Sequence, residues 1–211
     1  MQHGLTTLLA KSNTINYLAH LYLSGTNSKL AIGNFLGDFV KGNQYLDFEP
    51  EIAKGVILHR EIDRFTDSHK VVSESKKRLS EKYRHYSGVI VDMFYDHFLA
   101  NNFSEFHHQD IQVFTETHFK NLMEFRPNMP EKAQKMLPFM VESNWLMAYA
   151  ELKGIHRALS GLSRRTKFDS KMDESIQDLT RHYAAFESEF RLFFPDIQAH
   201  ISDFRSNLIN S

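Results

Sequence analysis

Apolar residues recur every three or four positions along almost the whole chain, which is the spacing of one buried helix face. Nine Gly and five Pro leave few turn signals between these segments. The pattern therefore predicts an all-α protein. The predicted helices cover residues 16–23, 28–41, 50–66, 68–84, 87–101, 109–125, 131–141, 145–152 and 155–162, followed by a long segment from 172 that Pro195 kinks or splits.

The length and composition favour one domain. The chain has 211 residues, 42% of them hydrophobic and 18 of them Phe, which is enough apolar surface for one sizeable core. No segment has the composition of a linker. We expect residues 16–211 to form a single helical bundle and residues 1–15 to be a flexible, dispensable extension.

Charge and cysteine content exclude several classes of function. The formal net charge is −1, so the chain is not a general binder of nucleic acid or of an anionic membrane surface. It contains no Cys, which excludes disulfides, thiolate metal sites and a cysteine nucleophile. No apolar run has the roughly 20 residues of a membrane-spanning helix, and no secretory signal is evident. A cytoplasmic location is expected.

Two pairs of polar residues fall at helical spacing in the first half of the chain. His59 and Asp63 are four residues apart, and Asp67 extends the row by one turn. Asp92 and Asp96 repeat this spacing within an apolar segment, where unpaired carboxylates are costly to bury. Each pair can direct two ligand atoms to the same side of its helix.

Two further candidates, His20 and Asp38, lie between large apolar residues. Taken alone, His20 is more simply a hydrogen-bonded core histidine, and the two aspartates of the later pair are equally simply partners of an arginine. The arginines available for such pairs are Arg60, Arg64 and Arg84. In combination, imidazoles and carboxylates without thiolates suit Mn²⁺, Mg²⁺ or Fe²⁺ and favour phosphoester hydrolysis.

Four ordered motifs resemble those of the acyl carrier protein phosphodiesterases. They are NYLAHLYL at 16–23, GNFLGDFVKG at 33–42, HREIDRFTD at 59–67 and DMFYDHFL at 92–99. The resemblance continues through GLSRR at 161–165 and the aromatic C-terminal segment, so it covers the chain from Asn16 onward. It implies an unusual helical relative of the HD phosphohydrolase fold. The chain has no adjacent His-Asp dipeptide, so the ligand assignments of ordinary HD enzymes are not carried over.

The implied reaction is hydrolysis of holo-acyl carrier protein to the apo form and 4′-phosphopantetheine, with a divalent cation that is typically Mn²⁺. We therefore hypothesise that one or two ions activate a water for attack on phosphorus, with Asp67 or Asp92 orienting or deprotonating it. Asp38 is assigned both to the metal and to catalysis. The predicted metal ligands are His59, Asp63, Asp38 and Asp96, with His20 as the next candidate.

Four arginines are candidates for contact with the phosphate or with the acidic carrier, although a local salt bridge is an equally good interpretation of each. They are Arg60, Arg64, Arg164 and Arg165. Two other functions remain open at this stage. One is a phosphohydrolase of the same architecture that acts on a nucleotide or another small phosphoester, and the other is a non-catalytic helical binding module.

Overall fold

Every regular element in residues 16–210 of the computed structural model is helical, and this range is the part of the chain that the structure describes. The α-helices are α1 (Tyr17–Leu23), α2 (Ser28–Leu36), α3 (Pro50–Ser68), α4 (Lys70–Tyr83), α5 (Ser87–Asn101), α6 (Phe103–Phe106), α7 (Ile111–Phe125), α8 (Glu131–Glu142), α9 (Trp145–Ala148), α10 (Leu152–Ser163), α11 (Ser175–Arg181) and α12 (Tyr183–Asn210). Short 3₁₀ turns join several of them. The predicted all-α fold class is confirmed.

The packing of α2 against α3 is the most extensive helix contact in the described range. Two glycines allow it. A Cβ on Gly33 would lie 2.0 Å from the main-chain oxygen of Ile52, and a Cβ on Gly55 would lie 2.3 Å from that of Leu30. Because neither glycine has a side chain, the two backbones touch directly. This contact determines how the C-terminal half of α2 lies against α3.

The last helix, α12, closes the core over α3, α4 and α5. Its aromatic side chains interlock with those of α5: Phe186 packs edge-on against Phe94 at 5.1 Å between ring centroids, and Phe190 stacks on Phe98 at 5.9 Å. All four rings are buried. One continuous hydrophobic cluster runs through the fold, which forms a single domain. No described helix is long and apolar enough to cross a bilayer.

Three expectations about the elements need correction. The second helix ends at Leu36 instead of 41, and a 3₁₀ turn over Gly37–Phe39 follows it. The segment from 172 begins with a 3₁₀ turn and divides near His182. Pro195 does not split the last helix, which is continuous through it as α12. The expectation of a dispensable extension at 1–15 lies outside the described residues, and the relation to HD phosphohydrolases stays a prediction.

We expect Gly33→Ala to destabilise the protein by about 1–3 kcal/mol, because the added methyl group collides with main-chain atoms of α3 that cannot move aside without separating the helices. Gly88→Ala on α5 is the matched control, since its Cβ would meet nothing closer than Lys76 Cε at 3.5 Å. The control should stabilise the helix by up to about 1 kcal/mol. Urea unfolding followed by circular dichroism measures both. Equal stability of the two variants would contradict the packing argument.

His118 on α7 makes stability depend on pH. Burial, and to a lesser degree the charge of His107, lowers its pKa from 6.5 to about 4. The folded state therefore binds the proton more weakly than the unfolded chain does. The contribution of neutral His118 to the free energy of unfolding is fully present above pH 6.5. It decreases below that pH and is lost as the pH falls through about 4, a loss of up to about 3 kcal/mol. The difference in unfolding free energy between wild type and His118→Gln should change over this window, and a constant difference would refute the assignment.

Candidate metal centre

Two imidazoles and one carboxylate converge at the junction of α1 and α3. His20 comes from α1, and His59 and Asp63 come from successive turns of α3. One ligand atom from each residue lies within 4.8 Å of the other two. The Nε2 atoms of His20 and His59 lie 3.4 and 3.3 Å from the two carboxylate oxygens of Asp63, and the rings stack at 4.2 Å. This is the spacing of donors around a single cation.

The close packing of α2 on α3 also seats the ring of His59. A Cβ on Gly37 would lie 2.1 Å from Cγ of His59, so only a glycine leaves room for the imidazole at the end of α2. The 3₁₀ turn that starts there carries Asp38, and Oδ1 of Asp38 lies 3.6 Å from Nε2 of His59. Asp38 thus stands beside the three-residue group as a second carboxylate.

Asn34 on α2 connects the two histidines. Its side-chain Oδ1 lies 2.7 Å from Nδ1 of His20, and its main-chain oxygen lies 2.9 Å from Nδ1 of His59. Its Nδ2 donates to the main-chain oxygen of His20 and to Oγ of Ser24. Asn34 is not among the residues predicted from the sequence to form the site, although it stands out as an uncharged polar residue inside the apolar segment 30–36.

The charges of the group are strongly coupled. Burial acts to lower the pKa of His20, but pairing with Asp63 raises it to about 9. Burial acts to raise the pKa of Asp63, but the two histidines hold it below its usual range. Burial raises the pKa of Asp38 to about 6, against the opposing effect of both imidazoles. The imidazoles and carboxylates thus favour one another's charged forms; both imidazoles are buried, whereas the side chain of Asp63 is 39% exposed.

One direct observation indicates that these residues fit a divalent cation. Nε2 of His20 is buried and makes no hydrogen bond within the described residues; it meets Asp63 only at ion-pair distance. A buried nitrogen without a hydrogen bond is costly unless something else satisfies it. Here the nitrogen faces a second imidazole nitrogen and a carboxylate, which together form a mixed nitrogen and oxygen donor set suited to a divalent cation such as Mn²⁺ or Fe²⁺.

Asp96, predicted as a ligand, has a different environment. Its two carboxylate oxygens accept hydrogen bonds from the main-chain N–H groups of Leu18 and Ala19, at 3.0 and 2.9 Å. The side chain is fully buried and holds the first turn of α1. The structure does not bring Asp96 into the three-residue group. Instead, Asp96 caps the helix that carries His20.

The other two predicted catalytic acids are also not members of the three-residue group, although the charges of Asp63 and His20 act on Asp92. Asp67 is exposed and pairs with Lys76 at 2.7 Å. Asp92 is partly buried and forms no ion pair or hydrogen bond with the described side chains, and burial raises its pKa to about 8. It lines a cavity of about 20 Å³ beside Asn16, whose buried Oδ1 has no hydrogen-bond partner among residues 16–210. The cavity is large enough for about one water.

The four predicted substrate-binding arginines are all exposed. Arg60 lies over the ring of Tyr45 and donates to the main-chain oxygen of Gly42. Arg64 is engaged by Glu61 through two hydrogen bonds, which is the local salt bridge of the alternative interpretation. Arg165 donates to the main-chain oxygen of Gly161. Neither Asp92 nor Asp96 pairs with an arginine in the described range.

The helical fold and the site together define an all-α protein with a candidate centre for one divalent cation. A family model for acyl carrier protein phosphodiesterase matches residues 15–197. The curated relatives include acyl carrier protein phosphodiesterases from Photorhabdus laumondii (31% identity, covering 86% of this chain and 92% of the relative), Yersinia enterocolitica (30%, 90% and 98%) and Escherichia coli O157:H7 (32%, 89% and 98%). No solved structure matches significantly.

The chain belongs to the acyl carrier protein phosphodiesterase family. The resemblance drawn from the four sequence motifs is thereby confirmed, and so is the enzyme class, a phosphodiesterase among the hydrolases. His20, His59 and Asp63 all lie within the matched segment, as does Asp38.

Asp96→Ala should lower the free energy of unfolding of the metal-free protein by about 1–3 kcal/mol, because two buried amides at the start of α1 lose their acceptor. Asn101→Ala is the matched control on the same helix. Since Asn101 is exposed and makes no side-chain hydrogen bond within the described residues, the control should change stability by less than about 1 kcal/mol. Unchanged stability in Asp96→Ala, with loss of metal binding, would instead identify Asp96 as a ligand.

Proposed function

We propose that this protein hydrolyses the phosphodiester that links 4′-phosphopantetheine to the serine of holo-acyl carrier protein, in a reaction that needs a divalent cation. The observation that supports the proposal most directly is the convergence of His20, His59 and Asp63 on one point, within a chain that matches the family over most of its length. The products are the apo carrier, with a free serine hydroxyl, and 4′-phosphopantetheine.

His20, His59 and Asp63 would hold the cation, which we propose to be Mn²⁺, with Mg²⁺ or Fe²⁺ as alternatives. When bound, such an ion would act as a Lewis acid on a phosphoryl oxygen and would lower the pKa of its bound water toward neutrality. Asp38 stands beside His59, with its side chain 10% exposed, and is placed to orient the attacking water and accept its proton. The P–O bond to the carrier serine then breaks, and the serine oxygen takes up a proton.

Exposed arginines on the same protein would contact the acidic carrier. Arg60 follows His59 directly on α3, and its guanidinium is held in place over Tyr45. Arg164 and Arg165, at the end of α10, supply two more exposed positive charges. The charge of Arg64 is already balanced by Glu61, so we give it the smallest part in carrier binding. Local basic side chains of this kind permit docking of an acidic partner despite a net charge near zero.

The decisive experiment incubates the purified protein with holo-acyl carrier protein and Mn²⁺ and follows the intact mass of the carrier. We expect loss of the phosphopantetheine mass with Mn²⁺ and no loss with excess chelator. His59→Ala should slow the reaction at least about 100-fold, because it removes one of three ligands. His69→Ala is the matched control, since His69 forms another His–Asp pair, with Asp196 at 3.2 Å, away from the group.

Each contrary result has a definite meaning. Cleavage that continues in chelator would contradict the requirement for a cation. An intact carrier, with Mn²⁺ bound at His20, His59 and Asp63, would direct the search to a small phosphoester substrate. Equal rates for His59→Ala and His69→Ala would contradict the proposed site.

A further inference from the structure

Asn34 is the only residue in the described range that is hydrogen-bonded to Nδ1 of both histidines of the metal centre. It is fully buried in α2, between α1 and α3. It reaches the two rings by different atoms: the side-chain oxygen for His20 and the main-chain oxygen for His59. Burying a side-chain amide is costly unless its polar atoms are hydrogen-bonded. Both polar atoms of the Asn34 side chain are.

The orientation of the Asn34 amide follows from its neighbours. The main-chain oxygen of His20 can only accept a hydrogen bond, so the group facing it at 2.7 Å must be the NH₂ of Asn34. Oγ of Ser24 donates to the same oxygen at 2.8 Å, and it accepts from Asn34 Nδ2 at 2.9 Å. The opposite end of the amide, Oδ1, is therefore the atom that faces Nδ1 of His20.

The proton positions on both imidazoles are then determined. An amide oxygen and a main-chain oxygen can only accept, so Nδ1 of His20 and Nδ1 of His59 must each carry a proton. In the neutral ring this leaves the lone pair on Nε2, the atom that faces Asp63 in both cases. The opposite tautomer would place N–H groups where the cation binds.

We propose that Asn34 is the positioning residue of the metal centre, which fixes the ring orientation and the tautomer of His20 through its side chain and those of His59 through its main chain. The proposal deepens the proposed function and rests on it for the identity of the cation. It has an asymmetric consequence: substitution of the side chain releases His20 and leaves His59 held, because every residue at position 34 keeps a main-chain oxygen.

The direct test observes the Nδ1 protons of the metal-free protein by ¹H–¹⁵N NMR. This proton is present in the neutral tautomer held by Asn34 and also in the doubly protonated ring, so the readout does not depend on the charge of His20. Wild type should show slowly exchanging Nδ1–H signals from His20 and His59, assigned by their individual loss in His20→Gln and His59→Gln. The buried Nδ1 of His97, which faces the main-chain oxygen of Tyr149 at 2.8 Å, should give a further signal that all these variants keep. Asn34→Leu, which has nearly the same shape, should lose the signal of His20 and keep that of His59.

Metal affinity provides the second readout. Removal of a hydrogen bond to a ligating histidine lowers metal affinity about 10–100-fold, so Mn²⁺ titration calorimetry should show a loss of this size in Asn34→Leu. Asn34→Asp is the conservative variant. It keeps an acceptor oxygen toward His20 and should retain both Nδ1–H signals.

Ser24→Ala is the matched control for disruption of the network. It removes the hydroxyl that bonds Asn34 and the main chain of His20, yet it leaves the contact between Asn34 and Nδ1 of His20 intact. The control should lower the melting temperature with no loss of either Nδ1–H signal and with unchanged Mn²⁺ affinity. A purely structural role for Asn34 would make Asn34→Leu behave in the same way.

The outcomes separate this proposal from the proposed function. A wild-type protein without a protected Nδ1–H on His20 overturns the role of Asn34, and this measurement needs no folded variant. Wild-type affinity for Mn²⁺ in Asn34→Leu also overturns it. If wild type shows both signals but binds no Mn²⁺, the proposed metal dependence fails while the ring-orienting role of Asn34 stands.

Discussion

The direct contact between the backbones of α2 and α3 is the constraint on which the rest of the site depends. At this contact Gly33 and Gly55 leave no side chain between the helices. The residue after Gly33 is Asn34, and its main-chain oxygen consequently reaches Nδ1 of His59 on the facing helix. One turn further along, Gly37 leaves the space that the ring of His59 fills. Wider separation of the helices would break both contacts with this imidazole at once.

The site concentrates ionisable groups where the surroundings are largely apolar, so each charge depends on a neighbouring charge of opposite sign. Two imidazoles face the single carboxylate of Asp63, and Asp38 lies at ion-pair distance from His59. Burial by itself disfavours each charge, so the observed arrangement persists because each charge has a partner of opposite sign. Nε2 of His20 is buried without a hydrogen bond within the described residues, and it lies 3.4 Å from the carboxylate of Asp63. A cation at this point would be held by groups that already face one another.

Several features were predictable from the sequence because they depend on local spacing. The helices follow from apolar periodicity, and α5 has the predicted bounds, 87–101. Residues four apart on one helix share a face wherever that helix packs, so His59 and Asp63 were paired correctly. Asp92 and Asp96 have the same spacing, yet Asp96 binds main-chain amides of α1. Spacing could not separate the two pairs, because the difference lies in which other helix packs across each one.

The course of the chain after α2 was not predictable for a related reason. Periodicity alone extends that helix to residue 41, but close packing against His59 at Gly37 favours a tighter 3₁₀ turn there. At Pro195 the sequence predicts a kink or a split, but α12 is continuous through this residue. A proline interrupts the hydrogen bonding of an isolated helix, but the aromatic residues around it, Phe193 and Phe194, are buried in the core and keep α12 continuous. In both places tertiary packing outweighed the local preference.

The position of His20 shows how a very short helix can carry a precisely placed candidate ligand. A helix of seven residues such as α1 is not stable alone in water. Here its first turn is held by Asp96 from α5, and the main-chain oxygen of His20 is held by Asn34 from α2 and by Ser24. His20 lies between these two attachments, and its own ring is bonded by the same Asn34. The position of His20 therefore depends on polar contacts of α1 with two other helices. His59 and Asp63 lie on the single long helix α3, and the ring of His59 is seated by Gly37 and by the main-chain oxygen of Asn34. For this reason a substitution at Asp96 would affect the candidate metal centre through α1 and His20 first.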